Sequence, residues 1–462
     1  MVSEAHKRSI IITAASGSFL APFMVSGLIV ALPVIAAEMS LDAVALGWLT
    51  AVFFLSAAAF LIPFGRLADI SGVKKMFRNG IAIYAISSLL CGLATNASIL
   101  LVGRFLSGAG AAMIFSTSIA LLSLVFPPSD RGKMLGINIT AMVAGFASGF
   151  LLGGLFTYYA SWRTIFLVTV PVSLAILAII RWKIPGECAL SRQKRPGTAE
   201  MICYVLALTF IMAGLTVFTT LPGIAAFFAG CILLVLLVWK ERRVESPILD
   251  IRMFQRNTIY STANFAILIF NAGGFAVIFL LSLFLQFIQG FDARFAGLIL
   301  VTMPVFMALA FIGGRLSDRI KPWIVGATGA AISAAGLGIL IFLNERTPLP
   351  LIVITLALIG TGIAFFQPSI VNTVIGSVSR EVYGLASGTA ETMRLAGMTM
   401  STAIATVVFS FYIGTGGITP AHYPAFLGTL GLLFLIYFLL GSFSVVICLM
   451  IGRLRAGGNP SR

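Results

Sequence analysis

Fourteen apolar runs, most of them closed by a short polar or basic stretch, constrain this chain more than any single motif does. A helix rises about 1.5 Å per residue, so about 20 apolar residues are needed to cross the hydrocarbon layer of a bilayer. By that measure the spans fall at 11–36, 46–64, 80–95, 98–125, 135–158, 164–180, 201–219, 223–239, 259–287, 296–314, 323–343, 349–375, 385–413 and 426–451. Only 10% of the residues are charged, where a soluble domain carries roughly 25%. Water therefore cannot be the solvent for most of this surface. Lipid leaves no partner for an unpaired backbone group, so the expected fold is an all-α integral membrane protein of fourteen transmembrane helices.

The formal net charge of +15 would suggest nucleic acid as the partner of a soluble chain. Here the basic residues sit in short clusters between apolar runs, so membrane topology accounts for them and no nucleic acid is implied. With the N-terminus placed in the cytoplasm, only Arg163, Arg294 and Arg346 fall outside, and Arg104 and Arg394 fall within spans. All other Lys and Arg residues are then cytoplasmic, the asymmetry expected of a multi-pass protein of the cell membrane with both termini inside. The first run follows Lys7 and Arg8 but is too long for a signal-peptide core, so it reads as an uncleaved span. Of Cys91, Cys188, Cys203, Cys231 and Cys448, none pairs at metal-binding spacing and four lie in apolar runs. His6 and His422 lie outside the spans, and no metal or cofactor site is expected.

The chain repeats itself. Gly65-Arg66-Leu67-Ala68-Asp69 ends the second span, and Gly314-Arg315-Leu316-Ser317-Asp318 ends the tenth. Arg131 precedes the fifth span as Arg380 precedes the thirteenth. Spans 1–6 thus look like the counterpart of spans 9–14. The expected organisation is an N-terminal six-helix bundle (1–182), an inserted hairpin of spans 7 and 8 with basic cytoplasmic loops (183–257), and a C-terminal six-helix bundle with a short tail (258–462). Spans 7 and 8 are separated by a short Leu221-Pro222 turn. Parallel six-span repeats related by pseudo-two-fold symmetry are a transporter architecture.

The most specific signal is the stretch from Gly65 to Lys75. Gly65 and Gly72 permit close packing and a sharp turn. Asp69 sets a carboxylate at a helix end, where it can accept bonds from a neighbouring helix N-terminus, and Lys74 and Lys75 hold the loop in the cytoplasm. This stretch resembles the loop signature of the major facilitator superfamily. With fourteen spans, nearly the whole chain is similar to its drug:proton antiporter branch. Ala31-Leu32-Pro33, Arg104 with Gly108 and Gly110, Trp162-Arg163 with Pro171, the run Glu245-Ser246-Pro247-Ile248-Leu249-Asp250, and Gly384, Ser387, Arg394 and Gly397 each resemble a segment of that branch. Two positions depart from it. Met24 stands where the branch commonly carries an aspartate, and Phe150 stands where its fifth span has a proline. The fold inference survives both changes, while the inference of proton antiport is weakened.

Within the spans, Ala141, Gly145, Gly149 and Gly153 recur every four residues, with Gly154 beside the last. They form a smooth stripe for close helix packing that is compatible with a part in conformational switching. Arg104 is costly in a bilayer. It either snorkels to the outer interface or contacts substrate or a proton carrier in a cavity. Glu391 and Arg394 share a helical face, and Glu391 is the only acid placed within a span. It is either the titrating carboxylate or the silent half of an ion pair. Asn138, Asn264, Asn271, Gln286, Gln367 and Asn372 either line a cavity or make ordinary interhelical bonds, and Gln286 and Gln367 are the preferred cavity candidates.

A secondary transporter would export small amphipathic organic compounds in exchange for protons, with a small molecule, protons and lipid as its partners, and would work as a monomer. An uncoupled or differently coupled facilitator of a metabolite, anion or lipid is the alternative. An intramembrane enzyme would need catalytic groups at depth, and the spans hold no histidine and a single acid. No phosphate-binding Gly-x-x-x-x-Gly-Lys-Ser/Thr loop exists to drive a pump.

Overall fold

The computed structural model describes residues 4–123, 131–183, 197–218, 220–241, 251–379, 382–414 and 420–457. Arg380, the Glu245–Asp250 run, Cys188 and the side chains of His6 and Arg131 lie outside the described residues.

The helices run in chain order as α1 (Glu4–Met39), α2 (Ala43–Ser71), α3 (Val73–Gly92), α4 (Ala97–Ser123), α5 (Arg131–Tyr159), α6 (Arg163–Lys183, interrupted at Val168), α7 (Thr198–Thr216) and α8 (Leu221–Glu241). They continue as α9 (Thr258–Ile288), α10 (Ala293–Arg319), α11 (Pro322–Leu340), α12 (Leu349–Ile375), α13 (Tyr383–Tyr412) and α14 (Tyr423–Gly457). Thirteen of these are long and apolar enough to cross a membrane among the described residues. The fourteenth, α3, carries Lys74, Lys75 and Arg78 in its first turns.

Two expected boundaries move. The third span was expected to begin at 80, but its helix begins at Val73, because Lys and Arg propagate a helix well and their charged ends reach past the apolar layer. Leu221-Pro222 was expected to form the turn between spans 7 and 8. Instead these residues open α8, where proline costs nothing because first-turn N–H groups have no intrahelical partner.

The turn between α2 and α3 is made at Gly72, whose φ of 103° is open to glycine but strained for other residues. Gly65, expected to be needed for packing, is not under that constraint: a methyl group there would meet only Ser116 Cβ at 3.6 Å, an ordinary contact.

Each bundle is held by small residues that let backbones touch. In the first, α5 lies along α1, with Gly145 against Phe19, Gly149 against Phe23 and Ser26, and Gly153 against Gly27. In the second, Gly329 and Gly362 bring α11 and α12 together, and Gly397 seats α13 on α9 at Leu268 and Asn271. The hairpin α7–α8 closes on Gly214 and Gly230, with Lys240 Nζ 2.6 Å from Glu200 Oε1 at its open end. It stands at the periphery, in the seam between α2 and α13.

Candidate central site

The molecule has a basic end, carrying Lys74, Lys75, Arg181, Lys183, Arg319 and Lys321, and an opposite far end. The two bundles meet over the far half. Gly47 of α2 abuts Thr406 of α13, and Gly297 of α10 abuts the carbonyl of Phe150 in α5. Phe54 packs edge-on to Phe275 with ring centroids 4.6 Å apart. Arg294 Nη1 donates to Tyr159 Oη at 3.0 Å, and the guanidinium lies over the Tyr158 ring. At the basic end the corresponding positions are open: a methyl group added at Gly136 in α5 or at Gly384 or Gly388 in α13 would meet nothing within 4 Å among the described residues.

The centre between the bundles is closed from the far side by α1 and α9. Ser282 Oγ donates to the Ile29 carbonyl at 2.9 Å, and Gln286 Nε2 donates to the Val30 carbonyl at 3.0 Å. Helix α9 is interrupted at residues 273–275 and ends in a π turn, Phe284–Ile288, with Gln286 at its middle. Such single π turns inside longer helices free side chains from the regular register and cluster at functional positions. Sequence periodicity gave no sign of either interruption.

Arg104 is completely buried, so it does not snorkel to an interface. Its Nε donates to the Leu49 carbonyl at 3.2 Å, and its guanidinium lies 4.6 Å from the centre of the Phe53 ring. The adjoining glycines make this seat. Gly108 lets α4 reach the α2 backbone at Phe53, and Gly110 lets it reach the α3 backbone at Tyr84. The two terminal nitrogens, Nη1 and Nη2, have no partner among the described residues. Met24, at the position where the resemblance leads to the expectation of an aspartate, is wholly buried and receives the Ser88 hydroxyl at its sulfur, 3.8 Å away. Phe150 is likewise buried, and its carbonyl faces Gly297 across the bundles.

Glu391 and Arg394 are brought together as a bidentate pair. Arg394 Nε donates to Glu391 Oε2 at 2.8 Å, and the second bond joins Nη2 to Oε1. Arg394 is buried and reaches Met398 Sδ through Nη1, while the Glu391 carboxylate is partly exposed. Parallel bonds of this kind fix the guanidinium and carboxylate in one plane and are stronger than neutral hydrogen bonds.

The polar residues divide by partner. Asn264 and Asn271 return to the carbonyls of Tyr260 and Ile267 one turn back in α9, Asn372 donates to Ser317, and Asn138 accepts from Ser18. Gln286 alone among them bridges the bundles, and Gln367 is half-buried in α12. Asp69 is half-buried in the last turn of α2. Gly154 points away from α1 toward Ala293 of the other bundle, so it does not belong to the stripe of Gly145, Gly149 and Gly153.

The family pattern described as Major Facilitator Superfamily matches residues 14–402. The chain belongs to that superfamily. It is a membrane transporter and not an enzyme. It is 31% identical to the cephamycin export protein CmcT of Amycolatopsis lactamdurans, over 90% of this chain and 88% of that one. It is 28% identical to the multidrug resistance protein Stp of Mycobacterium tuberculosis, over 81% of this chain and 71% of that one. Among solved structures, a bacterial homolog of the human lysosomal transporter Spinster, inward-facing and unoccupied, superposes with a TM-score of 0.73. That match covers 99% of this chain and all of the other at 15% identity, a likeness of fold.

Sequence reasoning missed the staple at the far end of the first bundle. Glu38 accepts from Trp162 Nε1 at 2.6 Å and pairs with Arg163 Nη1 at 2.7 Å, while Arg163 stacks over the Trp162 ring. Trp162 and Arg163 were legible as a pair. Their partner was not, because it lies 124 residues away.

Proposed function

We propose that this transporter exports small amphipathic organic compounds from the cytoplasm in exchange for protons, as a multidrug-type efflux protein. The observation that carries the reading is the Glu391–Arg394 pair, the one carboxylate–guanidinium pair of the central region among the described residues, with the Glu391 side chain partly exposed. Protonation of Glu391 would remove its charge and release Arg394. A side chain that holds α13 in one arrangement would then be free to accompany another. Arg104 supplies a fixed positive charge in the other bundle, and Gln286 and Gln367 offer amide groups to a polar head. The moving bodies are residues 1–182 and 258–462, with 183–257 riding between them, and the switch segment comprises Gly65, Asp69, Gly72, Lys74 and Lys75. The basic end is cytoplasmic by the distribution of Lys and Arg. The names and 28–31% identity of CmcT and Stp support an export role.

Proteoliposomes with an imposed pH gradient test this reading, comparing the parent with Glu391→Gln and Arg104→Ala. Coupled export requires that a pH gradient moves substrate through the parent and not through Glu391→Gln. A second reading, an uncoupled facilitator, is favoured by Met24 in place of an acid and by the neutralisation of Glu391 by Arg394. Transport indifferent to the gradient would establish that reading and refute coupling.

A further inference from the structure

Helix α11 ends at a groove in the second bundle, away from the centre. It runs from Pro322 at the basic end to Leu340, and its 19 residues at about 1.5 Å each roughly match the 30 Å of a bilayer's hydrocarbon layer. The turn at residues 341–348 therefore lies at headgroup level on the far side, with the last two turns of α11 just beneath it. There a cavity of about 410 Å³ opens between α11, α12 and α14, a size within the roughly 300–1,000 Å³ of small-molecule pockets. Its cause is a lack of side-chain bulk on α11. Ala335 and Gly338 share one helical face, and Phe438 of α14 stands opposite, 3.3 Å from where a methyl on Gly338 would be. Leu343 and Ile352 are buried in the floor, while Ala335 and Phe342 are exposed at the mouth, Phe342 to 79%. What meets that mouth, over an apolar stretch of helix below headgroup level, is lipid tails.

The rim above this groove carries both charges. Glu345 and Arg346 stand side by side in the turn, both exposed, and neither belongs to an ion pair among the described residues. Their neighbour Thr347 is buried and lines the cavity. The turn is held without help from a ligand. Arg346 N donates to Asn344 Oδ1 at 2.9 Å, and Asn344 N donates to Thr347 Oγ1 at 2.8 Å. Gln289, just past the π turn of α9, donates from Nε2 to the Thr347 carbonyl at 3.0 Å. A preformed rim spares an occupant the cost of ordering it. A cation and an anion one residue apart, above an apolar slot, complement a molecule with an apolar chain and a head bearing both charges.

We infer that this cavity binds one zwitterionic phospholipid of the far leaflet, with an acyl chain in the groove between Gly338 and Phe438, the phosphate against Arg346 and the ammonium group against Glu345. The chain passes from lipid to groove without meeting water, so no hydrophobic transfer drives it in. The groove holds it through packing contacts with fixed walls. The head then decides which phospholipid stays: an anionic one offers a phosphate to Arg346 but no positive charge to Glu345.

The full chain, purified in detergent, is titrated with phosphatidylethanolamine or phosphatidylglycerol, and bound lipid is counted by native mass spectrometry. The parent should hold one phosphatidylethanolamine about two- to fivefold more tightly than phosphatidylglycerol, the range of an exposed ion pair. Arg346→Gln should weaken both lipids by a similar factor, and Glu345→Gln should erase the preference between them. Ala335→Trp fills the mouth from an exposed position and should abolish the retained lipid, whereas Leu236→Trp on the outer face of the hairpin should leave it in place. Equal affinity of the parent for the two lipids, or retention indifferent to Ala335→Trp or to both charge variants, overturns the inference. A second readout needs no variant. The parent is placed in phosphatidylethanolamine vesicles containing a diazirine-tailed form of that lipid, illuminated, and its labelled peptides are mapped. Labels should concentrate at residues 335–352 and around Phe438, and labelling spread evenly over the lipid-facing helices overturns the inference as well. Neither readout involves transport, so the outcome is independent of the export reading.

Discussion

Substituting Gly154 by alanine isolates the free energy that holds the far end shut. A methyl group at this position would lie 2.6 Å from the Ala293 carbonyl oxygen and 3.2 Å from Arg294 Cα. Both are backbone atoms and cannot swing aside as a side-chain tip would. Relief requires α5 and α10 to separate by several tenths of an ångström, and overpacking of this kind costs about 1–3 kcal/mol. The cost falls on one conformation only, because the contact joins the two bundles and disappears when the far end opens. The gain in helix propensity from glycine to alanine, about 1 kcal/mol, is common to both conformations and cancels. The far-open population should therefore rise about 5- to 150-fold. Ser282 is a suitable reporter, being buried at the closure where its hydroxyl meets the Ile29 carbonyl. In a Ser282→Cys background, labelling by a membrane-impermeant maleimide from the far side should accelerate by that factor in Gly154→Ala. Gly388→Ala, whose methyl would meet nothing within 4 Å, should leave the rate unchanged. Equal rates for Gly154→Ala and its parent would refute the claim that this contact is specific to the far-closed state.

Three further outcomes follow from the same geometry. Gly153→Ala sets a methyl 2.5 Å from Gly27 Cα inside one bundle, so it should lower the melting temperature in detergent by the equivalent of about 1–3 kcal/mol without changing Ser282→Cys labelling. Arg104→Met removes a buried cation held by one hydrogen bond and one aromatic ring; melting should stay level or rise, because an apolar isostere carries no desolvation cost, while dye export measured in vesicles is lost. Glu38→Gln weakens the far-end staple, but with the carboxylate side chain 44% exposed the loss should stay below about 1 kcal/mol, and thermal unfolding showing a larger drop would give the staple a structural weight that exposure argues against.

The spans were legible because lipid imposes one rule on each of them separately: enough apolar residues to cross, with polar residues at the ends. The third helix shows the limit of that rule. Its charged first turns hid seven residues of helix, since apolarity marks the lipid layer and not the helix end. The repeat and the Gly65–Lys75 stretch were legible because both are local strings. What could not be read is whatever depends on a partner far along the chain. The stripe of Gly145, Gly149, Gly153 and Gly154 looked like one feature. The fold divides it, because Gly154 sits about 100° around the helix from Gly153 and so meets α10 while Gly153 meets α1. The inserted hairpin announced its existence by composition but not its place, since nothing in residues 201–239 specifies which seam it covers.

The charges of the centre show how a departure from the family pattern is absorbed by the fold. A buried guanidinium is stable only if something meets its charge. With Met24 at the position that departs, Arg104 keeps one backbone carbonyl and the face of Phe53, and among the described residues the only carboxylate paired with a cation in the central region stands in α13 of the other bundle. The first bundle is thereby left with a fixed positive charge, and the second with a paired carboxylate and guanidinium. On the proposed coupling, a proton taken up at Glu391 would add positive charge to a centre that already carries it, in a low-dielectric interior where such charges are felt over several ångströms. Binding a proton and binding a cationic compound at this centre oppose each other, and neither opposes a neutral or anionic one. Under the proposed coupling, exchange with a cation would draw on this repulsion, and exchange with a neutral amphiphile on movement of α13 when Arg394 is released.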